Sequence, residues 1–184
     1  ADSTAQVATG GAREVARVRP ADFGFDAARR SDWAGLWFLL PVLLRLNLAQ
    51  QDGPARLFAA LLRRAALHFE LDATAQDGIE HIEAIAGLGG STSADSPDSP
   101  DGPDGPDGAQ VDFWWRRARW ACVQQARLPL RRVLHRPGQV WLGQHRIDVE
   151  LPLPHADVRL RRAGFDIDPG YVPWLDVVMH FHYR

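Results

Sequence analysis

Four side chains near the C-terminus have the types and spacing to hold a metal ion: Asp148, Glu150, His180 and His182. Residues two apart on a strand share a face. In QVWLGQHRIDVELPL, Val140 to Leu142 lead into a Gly143-Gln144 turn; His145, Ile147, Val149 and Leu151 then alternate with Arg146, Asp148 and Glu150. In DVVMHFHYR, Val177, Met179, Phe181 and Tyr183 alternate with Val178, His180 and His182. If the two strands are neighbours, their polar faces meet. Two imidazoles and two carboxylates make a donor set for Zn²⁺ or Fe²⁺. The plainer reading is a wet sheet surface with cross-strand charge pairs worth about 0.2–1 kcal/mol each. No metal, no cofactor and no catalytic residue is expected, and these four are only weak candidates.

A second cluster is DIDPGYVP. Asp166 and Asp168 suggest a calcium loop, but an EF-hand needs oxygen ligands further along and a Glu at position 12. Gly170, Trp174 and Val177 stand where positions 5, 9 and 12 would be, so the pattern fails. The stretch reads as a Pro-Gly turn in which Gly170 takes positive φ and Asp168 bonds its own backbone. Tyr171, Val172 and Trp174 are expected to pack the loop onto the body. Asp166, Asp168, Pro169, Gly170, Tyr171, Pro173 and Trp174 therefore form a structural motif.

The third is VDFWWRRARWACVQQARL, residues 111–128, a helix stopped by Pro129. Trp114, Ala118, Ala121 and Gln125 follow helical spacing, and Phe113, Trp120 and Cys122 widen the stripe. Arg116, Arg117 and Arg119 interleave with Trp115 and Trp120, a mixture that can stack on bases and grip phosphates. A core helix whose arginines cover its own exposed indoles explains the same residues. The composition favours that reading. Net charge is −2 and the pI about 6.4, so no overall basic field draws the chain to nucleic acid. Cys122, the single cysteine, has no ligand-spaced partner and reads as a small buried hydrophobe. No Ser-His-Asp spacing, glycine-rich phosphate loop or Cys/His zinc pattern is present.

Elements must position these groups. The chain has 184 residues, is 46% hydrophobic and carries seven Trp, enough for a core. All 21 basic residues are Arg. The run from Trp33 to Leu44 is shorter than the roughly 20 residues of a membrane span, and Pro41 interrupts it. It predicts a buried helix over 33–46, capped by Ser31 or Asp32, kinked or broken at Pro41 and stopped by Asn47 in a left-handed conformation. A second helix follows, with Asp52 and Pro54 as cap and first turn. Leu57, Phe58, Leu61, Leu62, Ala65 and Phe69 form its inner face, away from Arg56, Arg63 and Arg64. The pair should make a helical hairpin. A short third helix is expected from Gly78 to about Ala86, ended by Gly89-Gly90.

STSADSPDSPDGPDGPDGA, residues 91–109, repeats Asp with Pro, Ser and Gly and has no apolar residue larger than Ala. It reads as a disordered acidic insertion. The first residues, ADSTAQVATGGAREVARVRP, have no apolar core of signal-peptide length. They read as the start of a flexible lead-in over 1–30, in a processed protein or a piece cut from something longer. Residues 31–184 are expected to form one α+β domain, with the helical hairpin and further helices packed on a small C-terminal antiparallel β-sheet. HADVRLRRAGF is readable as helix or strand.

GLWFLLPVLLRLNL, and much later RIDVELPLPHADVRLRRAGFDIDPGYVPWLDVVMHFHYR, resembles a family of uncharacterised bacterial proteins. Their genes accompany extracellular contractile injection systems, the phage-tail-like particles. The shared positions are Gly35 to Leu48, Arg146 to Leu153, Asp166 to Pro173 and Phe181 to Tyr183. Asn47 stands where the family pattern has Gly, Tyr171 where it has Trp, and Asp176-Val177 where it has Gly-Arg. The resemblance implies an accessory or structural role, exercised through protein components of the particle. It implies a place in the bacterial cytoplasm or on the particle, without a membrane span, and brings no established catalytic residues. Metal or enzyme chemistry on the late strands is the alternative, and nucleic-acid binding through 113–120 a more distant one.

Overall fold

The computed structural model describes residues 27–88 and 106–184. In chain order the elements are β1 (Arg29–Ser31), α1 (Leu39–Arg45), α2 (Pro54–His68), α3 (Ala73–Ile85), α4 (Gly108–Ala121), α5 (Leu130–Leu134), β2 (Gly138–Gly143), β3 (Arg146–Leu151), α6 (Val158–Ala163), β4 (Gly170–Val172) and β5 (Val177–Tyr183). The architecture is α+β, with a five-stranded sheet ordered β1-β2-β3-β5-β4.

The apolar run of 33–46 is core. Ala34–Phe38 form a 3₁₀ turn that passes into α1. Phe38, Leu39, Leu40, Val42 and Leu43 are fully buried, each large side chain contributing about 1.5–3 kcal/mol. Pro41 is the third residue of α1, where the amide hydrogen it lacks would have no helical partner. The expected break is therefore a change of helix type two residues earlier. Ser31 Oγ accepts from the Trp33 amide at 3.0 Å and donates to Asp72. Asn47 is left-handed, with φ 65°, as expected. Gly35 is held by packing: a Cβ there would meet the Leu134 and Val133 carbonyl oxygens at 2.8 and 2.9 Å.

On α2, Leu57, Phe58, Leu61, Leu62 and Ala65 are fully buried. Asp52 does not cap this helix. Gly53, left-handed, precedes Pro54, and no side chain closes the first turn. The expected hairpin broadens into a cluster, because α2 makes its main helix contacts with α3 and α4. Helix α3 starts earlier than expected. Asp72 accepts from the Ala75 amide at 2.9 Å and also holds the Asp32 amide at 2.7 Å. Gly87, with φ 73°, terminates it, and Gly89-Gly90 lie outside the described residues.

In α4, Trp114, Trp115, Ala118 and Ala121 are buried, whereas Phe113 and Trp120 are 48% and 61% exposed. The last two are seven apart and point away from the core. A wide π turn, Cys122–Ala126, follows. Its extra residue shifts the phase, so Ala126 is buried and Gln125 exposed. Cys122 is fully buried, and burial pushes its thiol pKa up to about 12.

Several boundaries differ from expectation. Arg29–Ser31 is an edge strand, with Arg29 opposite Val140 and Ser31 opposite Gly138, so the lead-in does not reach residue 30. Its partner is remote in sequence, so no local pattern marks it. Residues 1–26 lie outside the described residues, as do 91–105 of the acidic insertion. Of the remainder of that insertion, Asp107 caps α4 by accepting from the Ala109 amide at 3.2 Å, and residues 108–109 are already helical. The β2–β3 turn is Gln144-His145, since Gly143 pairs with Arg146; His145 therefore leaves the strand face. Residues 130–134 form α5, an unexpected helix.

The sheet is mixed rather than antiparallel. β3 and β5 run parallel, with Ile147 opposite Met179 and Val149 opposite Phe181. Residues 152–176 between them hold α6 and β4, a connection long enough for a parallel crossover. Val140, Ile147, Val149, Leu151, Val177, Met179 and Phe181 are buried on the sheet's inner face, and Phe38 meets Phe181 there at a ring distance of 4.8 Å.

Candidate functional site

The β3–β5 register brings the four metal candidates onto one face: Asp148 lies opposite His180, and Glu150 opposite His182. Alternation sets the face. The parallel pairing, which the sequence does not specify, sets the neighbours. Asp148 is only 1% exposed. It sits on the middle strand, between Trp141 of β2 and His180 of β5, so side chains from both neighbouring strands shield it.

A carboxylate in that position needs partners. Arg146 donates to Asp148 from Nε at 2.7 Å and from Nη2 at 3.1 Å. His182 Nε2 lies 2.8 Å from Asp148 Oδ1. Burial pushes the Asp148 carboxyl up, but hydrogen bonds and charge from Arg146 and His182 outweigh it and hold the pKa below the ordinary carboxylate range. The other two candidates turn elsewhere. Glu150 pairs with Arg184 at 3.0 Å, and His180 Nδ1 with Asp168 at 3.5 Å. Adjacent in register, the four side chains are thus split among three separate contacts. Among the described residues no three His, Cys, Asp or Glu side chains converge as a metal set would. The chemistry available is a buried carboxylate orienting a half-exposed imidazole, a pair that can position a proton acceptor.

The turn motif borders this face. Asp166 is 3% exposed; its Oδ2 accepts from the Tyr183 hydroxyl at 3.0 Å and lies 3.3 Å from Arg161 Nε. Burial, then the charge and hydrogen bond of Asp166, raise the Tyr183 pKa. Asp168 does not close its own turn as expected. Its Oδ1 accepts from the Phe181 amide at 2.6 Å, because β4 begins only at Gly170, opposite Met179. Beyond that point β5 has no strand partner on this side, and a side-chain oxygen takes the place of a carbonyl. Gly170 has φ 67°, as expected. Val172 is buried and Trp174 packs its ring 5.9 Å from Phe58. Tyr171 departs from the expected packing: it is 57% exposed, and its hydroxyl donates to Asp176 at 2.8 Å.

Asp176 completes the β4–β5 turn after Pro173 and Trp174. It has φ 52°, and His145 Nδ1 lies 3.1 Å from its carboxylate. Alternation alone could not have singled out Asp176; its departure from the Gly of the resembled pattern was the one signal. On α4, Phe113, Arg116, Arg117 and Trp120 share the outer face at spacings of three and four. Arg117 lies over Phe113 at 5.5 Å and over Trp114 at 5.0 Å.

Among the described residues no helix is long and apolar enough to cross a membrane. No family model, no curated protein and no solved structure matches the chain.

Proposed function

We propose that this chain is a non-enzymatic accessory or structural protein of a contractile injection system, acting through contacts with the particle's other proteins. One observation carries the reading beyond the likeness of motifs. At Asn47 and Asp176 the resembled pattern has Gly, and both residues adopt the left-handed backbone, with φ 65° and 52°. That region suits Gly, and Asn and Asp are the side chains that enter it most readily. Only three described non-glycine residues have positive φ, and two of them coincide with glycine positions of the pattern. A coincidental likeness gives no reason for that overlap.

The alternative of metal or enzyme chemistry on the late strands gains no such support, since Glu150 and His180 are turned to other partners. The nucleic-acid alternative keeps a surface, the exposed Phe113 and Trp120 among Arg116, Arg117 and Arg119. Genes for sheath, tube and baseplate beside this one, and recovery of their products on affinity purification from the native host, are the expected results. Recovery of nucleic acid instead, with affinity falling steeply as salt rises, would move the function to the outer face of α4.

A further inference from the structure

A cleft away from the β3–β5 face concentrates positive charge that described groups only partly answer. RLPLRRVLHR, residues 127–136, holds four arginines, one histidine and no acid, in a chain whose net charge is −2. HADVRLRR, residues 155–162, holds three more arginines, another histidine and one acid, Asp157. The fold brings the two segments together. Gly35 donates its amide to the Arg136 carbonyl at 3.2 Å, tying the end of α5 to the core, and Arg136 Nη1 donates to the His155 carbonyl at 2.6 Å. Between the segments lies a cavity of about 500 Å³ lined by Arg131, Arg132, Arg136, Arg159, His135 and His155.

Asp157 is the one carboxylate in that lining, and it is already shared. Arg159 donates to it at 3.1 and 3.0 Å, and Arg136 Nη2 at 3.3 Å. Four guanidinium charges less one carboxylate leave +3 in the lining, before either histidine is counted. Arg131 and Arg132 have no ion pair among the described residues. The Arg136 side chain is 10% exposed, and its Nε is shielded from water with no hydrogen-bond partner. A buried donor left unmatched beside free guanidinium groups is uncommon in a finished structural network.

We infer that this cleft binds the phosphate group of a small soluble ligand. A carboxylate offers two oxygens and one charge, which one guanidinium fork can satisfy. A phosphate offers more oxygens and up to two charges, and so can be shared among several forks. Arg131 and Arg132 grip it from the rim, and Arg136, anchored on His155 and Asp157, forms the floor. The inference is independent of the particle reading: it rests on the lining alone.

The test is a calorimetric titration of the whole chain with inorganic pyrophosphate, at an ionic strength held constant with sodium chloride. The expected result is saturable binding at one site. The double variant Arg131→Gln, Arg132→Gln should lose at least tenfold in affinity while keeping its thermal midpoint, since both side chains are exposed and unpaired. The absence of saturable heat, equal binding by parent and variant, or the same heat from chloride alone would overturn the proposal. Phosphatidylcholine vesicles doped with a phosphoinositide separate the sources. Saturable pyrophosphate binding without vesicle binding supports a small soluble ligand; vesicle binding that pyrophosphate displaces assigns the cleft to a lipid headgroup and overturns it.

Discussion

The polar face of β3 and β5 and the basic cleft beside α5 contain the same kinds of residue, yet they are in different electrostatic states. On the strand face, Asp148 has Arg146 and His182, Glu150 has Arg184 and His180 has Asp168. In the cleft one carboxylate is divided between two arginines, and two further arginines have no ion pair among the described residues. Residue type alone would have ranked the strand face first, because His and Asp are metal ligands. Satisfaction of the groups reverses the order. A network whose members answer one another holds strands in register, whereas surplus charge in a concavity is left for a partner.

The comparison can be broken hardest from the core. Leu39→Asp places a charge without partners where exposure is 0%; it should cost upwards of about 4 kcal/mol. Failure to fold, or loss of the urea transition, is the expected outcome. A variant as stable as the parent would show that α1 is exposed. Next comes Asp148→Ala, which removes the buried carboxylate that Arg146 and His182 share. Breaking a buried pair costs about 3–5 kcal/mol, and the partial exposure of both partners, 28% and 40%, puts this case near about 3. Chemical denaturation at pH 7 measures it. If the loss is under about 1 kcal/mol, the strand face is no more structural than a surface pair.

Acid sharpens the same contrast. The folded pKa of Asp148 is depressed, so the unfolded chain binds more protons at low pH. The stability it contributes is complete above the unfolded pKa of about 3.9 and is lost as pH falls through the folded value. Asp157, which the Arg159 hydrogen bond holds at about 2 against burial, adds to the same limb between about pH 4 and 2. Denaturation midpoints between pH 6 and 2 should fall less steeply for Asp148→Ala than for the parent. Parallel curves would remove Asp148 from the acid limb. The smallest effect belongs to the cleft: Arg131→Gln with Arg132→Gln should change stability at pH 7 by no more than about 0.5 kcal/mol, the range for exposed sites outside networks. A larger loss would make these arginines part of the scaffold.

What was legible follows from the range of the interactions. The apolar face of α2, the buried run of α1 and both alternating strands are local periodicities, and the structure reproduces them except at His145, which lies in the β2–β3 turn. Asn47 and Gly170 at positive φ were readable because one residue's conformational preference decides each. Pairing was not readable. β1 joins β2 across most of the chain, and the parallel β3–β5 contact depends on a crossover rather than on either strand. The start of α3 was missed because Asp72 lies before the apolar repeat. By type Phe113 and Trp120 widen the apolar stripe of α4, yet their seven-residue spacing is equally that of an outer face, where both lie. The cleft has no local signature because its arginines come from two segments, each ordinary by itself.

The far-edge pairing has a consequence for how the protein is made. Ser31 meets Gly138, and Phe38 meets Phe181, so the most apolar stretch of the chain completes its packing on the sheet only after the last strand has been synthesised. Contacts so distant in sequence slow folding. While the ribosome works through the intervening residues, Trp33 to Leu44 can bury itself only against α2 and its neighbours or against a chaperone. Early translation is therefore the period when this chain is most exposed to aggregation, and the speed at which its C-terminal strands follow sets how long that period lasts.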